Sequence, residues 1–196
     1  MNAAGNAVDW SSRIATRLAS LEAAFRHVAA TRMAGVPVLH PGLRVQPVGF
    51  ECEASPALPQ AAVLSGVLVT PWFMSVLRLP LQPVSASDGA DLGWLAVGHP
   101  GPRSIGSLTL DFLGGFEPVL GVYEASSLFS PMFEFFDHGA AVATAVEALA
   151  LLRAPVAAPT TAPLFVATPV AAPGTNAPVP SRRGFLFGRP SAGAGA

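Results

Sequence analysis

Four histidines, His27, His40, His99 and His138, and one cysteine, Cys52, are the side chains of this chain with the types to bind a transition metal or supply a thiolate. Metal sites need ligands in sets, commonly one helical turn apart, and the four histidines stand far apart with no histidine partner at i+4. They are read as surface or hydrogen-bonded residues. A lone cysteine supports neither an internal disulfide nor a cysteine cage for iron or zinc. Cys52 lies between Glu51 and Glu53, whose charges disfavour a thiolate, so it is expected to be inert. A serine nucleophile wants a Gly-x-Ser-x-Gly elbow, which neither Gly98-His99-Pro100-Gly101 nor Gly106-Ser107 supplies. No dinucleotide fingerprint or phosphate loop occurs, and the carboxylate pairs Glu51/Glu53 and Glu134/Asp137 are what 12 acidic residues among 196 produce by chance. The expectation is a protein that is not an enzyme, with no catalytic residues, no metal and no cofactor.

Composition narrows the partners. The chain is 51% hydrophobic, which argues against full-length disorder, and its 19 glycines and 20 prolines follow no Gly-X-Y period. Eleven arginines, with no lysine, nearly balance the acids to a net charge of −1. Duplex nucleic acid and anionic membrane both call for a basic excess, so neither is an expected partner. The uncharged stretch from Ala54 to Leu77 is long enough to span a bilayer, but Pro56, Pro59, Gly66 and Pro71 interrupt it, and a broken backbone in lipid leaves amides unpaired. Membrane insertion is not expected. Met1 to Val8 shows no secretory pattern, and the chain is read as cytoplasmic.

The elements follow from periodicity. Ile14, Leu18, Leu21, Phe25 and Val28 make the stripe of a helix capped by Ser11 or Ser12 and ended by Gly35 and Pro37; Arg13, Arg17, Glu22 and Arg26 fall off the stripe and should be solvated. Leu43–Phe50 is a short extended segment. Ala61–Thr70 and Phe73–Leu79 form a hairpin about Thr70-Pro71-Trp72. Pro80–Gly101 is a loop with a brief edge strand at Trp94–Val97, and Ser107–Leu113 with Val119–Ser127 form a second hairpin around Gly114-Gly115. Ser130 caps and Pro131 opens a second helix that buries Phe133, Phe136, Ala140, Ala143 and Val146 and ends near Arg153. The fold class is α+β: a two-layer sandwich in which a mostly antiparallel sheet of about five strands carries N- and C-terminal helices. Residues 1–12 are expected to be a flexible N-terminus, 13–153 the domain, 154–181 a disordered Pro/Ala-rich linker, and 182–196 an arginine-containing tail.

Two features stand out. Methionines and aromatics gather at Trp72, Phe73, Met74 and Leu77 and again at Leu128, Phe129, Met132, Phe133, Phe135 and Phe136, a composition suited to accepting apolar peptide, although for any single one of them a place in the core of the domain is the stronger reading. The tail carries Ser181-Arg182-Arg183-Gly184-Phe185-Leu186, which has the form of a twin-arginine export motif at the wrong end of the chain for a signal. Arg182, Arg183, Phe185 and Leu186 are read as a solvated terminus in preference to a tethered ligand for the protein's own groove.

Leu39-His40-Pro41-Gly42-Leu43, Gly66-Val67-Leu68-Val69-Thr70-Pro71-Trp72-Phe73-Met74 and Ser126-Ser127-Leu128-Phe129-Ser130-Pro131-Met132-Phe133-Glu134-Phe135, together with the closing motif, resemble the HybE (HupJ) family of [NiFe]-hydrogenase assembly chaperones. Many members carry a C-terminal rubredoxin module, whose four cysteines this chain lacks. The resemblance implies a cytoplasmic chaperone that binds the hydrogenase small-subunit precursor with its twin-arginine signal peptide and delays export until assembly is complete. The large subunit and other maturation factors are further possible partners. A matching site needs carboxylates beside an apolar groove: Glu117, Glu124, Glu134 and Asp137 are the candidate carboxylates, and Trp72, Phe73, Met74, Phe129 and Met132 the candidate lining. The alternative is a non-catalytic adaptor that holds folded hydrogenase subunits together without reading the signal peptide.

Overall fold

The computed structural model describes residues 3–53 and 62–155. In chain order they form α1 (Ala3–Ala30), β1 (Gln46–Glu53), β2 (Val63–Val69), β3 (Met74–Pro80), the single-turn α2 (Ala86–Gly89), β4 (Pro100–Ile105), β5 (Leu108–Glu117), β6 (Gly121–Phe129) and α3 (His138–Arg153). The strands make one six-stranded antiparallel sheet in the order β1-β2-β3-β6-β5-β4. The class is α+β as expected, with six strands against about five. Among the described residues no helix is long and apolar enough to cross a membrane.

Strand alternation sends successive side chains to opposite faces, and each face has its own core. On one face Leu64, Leu68, Leu77 and Leu79 pack with Leu21, Ala24 and Phe25 of α1. On the other, Val67, Val69, Val76 and Phe112 pack with Ala141, Ala145, Leu149 and Leu152 of α3. The two long helices therefore sit on opposite faces of the sheet, and each fully buried Leu contributes about 1.5–3 kcal/mol. The β2–β3 hairpin turns where expected: the buried Thr70 hydroxyl accepts from Phe73 N–H at 2.9 Å and donates to Phe73 O at 2.8 Å.

Several expectations are corrected. α1 starts at Ala3, so Ser11 and Ser12 lie inside it rather than capping it. Arg17 is buried, not solvated: it stands one turn from both Ile14 and Leu21, on the stripe itself, and two backbone carbonyls receive its guanidinium. Trp94–Val97 is not a strand; it contributes one isolated bridge, Val97 to Gly114, and the edge strand is β4. The second hairpin turns at Glu117–Gly121, where Gly121 has φ +75°, and Gly114 and Gly115 lie within β5. They are glycines because backbone atoms of Leu95 and Ala96 press on one and the Tyr123 ring on the other.

The last helix begins later than expected. The Ser130–Pro131 peptide is cis, and Asp137 caps α3 by accepting Ala140 N–H at 2.8 Å. Its buried face is Ala141, Ala145, Leu149 and Leu152, leaving Phe133 and Val146 exposed and Phe136 94% exposed. With 11 of its 16 residues Ala, Val or Leu, α3 offers apolar positions on more than one side, so their spacing alone does not select a phase.

Candidate binding groove

α1 covers the β1–β3 part of its face of the sheet and reaches β6 at Tyr123, where the Phe25 ring packs edge to face at 6.0 Å. Beyond that contact the β6–β5–β4 part is left open as a groove of about 450 Å³. Its floor alternates along three strands: Ser75 and Leu77 on β3, Tyr123, Ala125 and Ser127 on β6, and Asp111, Leu113 and Gly115 on β5. The concavity comes from small residues at the positions where a covered sheet would carry large ones. Phe73 forms one wall and is backed by an aromatic cluster, with its ring 5.4 Å from Trp72 and 5.8 Å from Phe25, both edge to face. Such pairs add about 0.5–1.5 kcal/mol beyond their buried area and hold the wall rigid.

The charges lie along β5. Asp111 lines the groove, is exposed, and its carboxylate has no hydrogen bond or ion pair among the described residues. On the same face of β5, two positions beyond Gly115, the mostly buried Glu117 is paired with the exposed Arg32. Tyr123 lies between the open floor and that pair; burial first, and the Glu117 charge second, push its phenol up from the usual value.

The sheet separates the expected site residues. Phe73 lines the groove, Trp72 supports it, and Glu117 stands on the same face. Met74 and Met132 have no exposed surface and belong to the α3-side core, where Phe129 packs edge to face on Phe135 at 5.0 Å. Glu124 is also fully buried and committed within the protein. It accepts from Arg78 at 2.5 Å, from Arg103 at 2.6 Å and from Leu95 N–H at 2.9 Å, while Arg78 grips Glu53 with two bonds. Burial alone would raise its pKa, but the Arg103 and Leu95 hydrogen bonds and the two guanidinium charges hold it below the usual carboxylate range. Met74, Met132 and Glu124 thus present nothing to a client from the positions they occupy. Glu134 is exposed on the segment before α3, and Asp137 is spent on its cap. Arg182, Arg183, Phe185 and Leu186 lie outside the described residues. The residues the sequence reading missed are Asp111, Leu113, Gly115 and Tyr123; the alternation Asp111, Leu113, Gly115, Glu117 marks one strand face once β5 is run through its two glycines.

The histidines have ordinary roles. His138 Nε2 lies 2.8 Å from Gln46 Oε1 and its Nδ1 accepts from Arg44 N–H, while His40 Nδ1 accepts from Gly42 N–H. Cys52 is exposed, and partial burial followed by the Glu53 charge raises its thiol pKa. Among the described residues no three His, Cys, Asp or Glu side chains are grouped to hold a metal ion.

Comparison with known proteins identifies the family. The profile described as "[NiFe]-hydrogenase assembly, chaperone, HybE" matches residues 16–188. The chain belongs to this family. It is 44% identical over 174 residues to Protein HoxT of Cupriavidus necator, covering 88% of this chain and 89% of that protein. It is 30% identical over 154 residues to the hydrogenase expression/formation protein HupJ of Bradyrhizobium diazoefficiens, covering 79% and 78%. The solution structure of HybE from Escherichia coli aligns over 90% of this chain and 91% of its own, at 21% identity and a TM-score of 0.48. A HybE-family member is a hydrogenase assembly chaperone, and in this member the groove on the α1 face is the candidate working surface.

Proposed function

We propose that the protein acts in the cytoplasm by binding, without catalysis, the precursor of a [NiFe]-hydrogenase small subunit through its twin-arginine signal peptide, so that export waits for assembly. The observation that carries this reading is the open, apolar half-face of the sheet with an unpaired carboxylate, Asp111, on its rim. A twin-arginine peptide presents guanidinium groups followed by apolar residues. Asp111 is placed to accept a guanidinium, Glu117 becomes available if a client arginine displaces Arg32, and Phe73, Leu113 and Tyr123 meet the apolar part.

The test is calorimetry of the full chain with an isolated small-subunit signal peptide and, separately, with the mature subunit. Binding of the peptide, weakened about tenfold or more by Asp111→Asn, is expected from the loss of one charged hydrogen bond. Binding of the mature subunit alone would overturn the reading in favour of the adaptor. One observation favours that second reading: Phe133 and Phe136, exposed at 59% and 94%, do not line the groove and suit contact with a folded subunit.

A further inference from the structure

Arg17 is 5% exposed, and no carboxylate reaches it among the described residues. Its Nε donates to Pro80 O at 2.9 Å and its Nη2 to Leu120 O at 2.6 Å, tying α1 to the end of β3 and to the β5–β6 turn. By contrast Arg26, Arg32, Arg78, Arg103 and Arg153 each meet a carboxylate. Taking a cation out of water without a counter-ion is unfavourable, and two carbonyl dipoles offset only part of that penalty. Burial pushes the Arg17 pKa down to about 10, so the guanidinium is still charged at neutral pH.

Arg17 also opens onto a cavity of about 330 Å³ beneath α1. The α1 side of the cavity is polar, formed by Ser12, Arg13, Thr16, Arg17 and Ser20; of its hydroxyls, Thr16 donates to Ser12 O at 2.9 Å and Ser20 to Thr16 O at 3.0 Å. Those two hydroxyls bring no spare proton to a ligand, so the attraction comes from the Arg17 guanidinium, with Arg13 and the Ser12 hydroxyl beside it on the same wall. Leu81, Pro83 and Val119 make the opposite wall apolar. A fully hydrated inorganic anion would leave that wall wet, whereas a carboxylate on a short aliphatic stem satisfies both sides.

We propose that this cavity is a carboxylate-binding site, distinct from the groove on β5 and β6, in which the ligand's oxygens meet Arg17 and its stem lies against Leu81, Pro83 and Val119. The ligand is either a free short-chain acid or a glutamate side chain of a bound polypeptide, which offers the same chemistry.

The experiment is thermal melting of the full chain in saturating sodium butyrate, blocked glutamate (N-acetyl-glutamate amide), sodium phosphate or sodium chloride at equal ionic strength. Butyrate or blocked glutamate should raise Tm by about 3 °C over chloride, with phosphate doing less. A stronger effect of blocked glutamate assigns the site to a polypeptide side chain, and a stronger effect of butyrate to a free acid. Arg17→Gln should remove the shift, but it also cuts the ties to Pro80 and Leu120. Val119→Glu is therefore the second variant, since Val119 is 64% exposed at the cavity wall and a glutamate there supplies the carboxylate internally. It should raise Tm relative to Val119→Gln and abolish the butyrate response. Equal melting in butyrate and chloride, or a Val119→Glu protein that melts like Val119→Gln and still responds to butyrate, would overturn the proposal.

Discussion

The Tyr123 ring lies against Gly115, its cross-strand partner, so closely that a Cβ on residue 115 would come within 2.5 Å of it. This contact keeps the tyrosine folded down on the groove floor. Gly115→Val should push the ring out into the groove and cost about 1–3 kcal/mol of stability through overpacking. The accompanying expectation is a signal-peptide affinity at least tenfold weaker, measured by calorimetry at a temperature where the variant is folded. Retained affinity would place the peptide elsewhere.

Glu124 tests the opposite role, that of an acid serving the fold. Glu124→Gln leaves the half-buried Arg103 without its carboxylate, leaves Arg78 only Glu53, and loosens the Leu95 anchor. A loss of about 3–5 kcal/mol in urea unfolding is expected. Peptide affinity of the folded fraction should stay unchanged, because Glu124 lies on the α3 side of the sheet. Its folded pKa is depressed, so the carboxylate's contribution is present at neutral pH and is lost as pH falls through the folded value.

His138 sets a second pH dependence. Burial first, then the Arg44 charge, lowers its pKa from the usual value of about 6.5. The folded state therefore favours the neutral ring, and between the two pKa values the unfolded chain binds more protons. Stability should be full above about pH 6.5 and decline on acidification below it until the folded pKa is passed. His138→Gln should flatten that slope in a pH series of melting curves; an unchanged slope would assign the acid sensitivity to the carboxylates.

Thr70 is expected to matter through the backbone alone. Thr70→Val removes the hydroxyl that accepts Trp72 and Phe73 N–H, leaving those two part-buried donors unpaired while Phe73 O keeps its bond from Thr70 N–H, and should cost about 1–3 kcal/mol. Thr70→Ser, which keeps the hydroxyl, should restore most of it in the same unfolding assay.

The parts of the fold that were legible are those with one dominant period. The Ile14 to Val28 stripe and the Thr70-Pro71 turn each admit one solution, and the structure adopts it. Where sequence reading failed, two physical patterns competed. Gly114-Gly115 has the chemistry of a hairpin turn, but these glycines answer close approach by Leu95, Ala96 and Tyr123, and the turn moved to Glu117–Gly121. The Phe133 to Phe136 run reads as a buried helix face, yet the Asp137 cap starts α3 beyond it. The candidate groove suffered most, because Phe73 and Met74 are sequence neighbours that alternation sends to opposite faces. Composition brings such residues together, and only strand order and register show that Phe73, Asp111 and Tyr123 share a surface while Met74, Met132 and Glu124 do not.

The most direct measurement is amide chemical-shift mapping of the full chain as a twin-arginine signal peptide is titrated in. Perturbations concentrated on Ser75, Asp111, Leu113, Gly115, Tyr123 and Ala125, and lost when the peptide's two arginines are replaced by glutamine, are the predicted result. Perturbations centred on Phe133, Phe136 and the exposed side of α3, with β5 unmoved, would contradict the account.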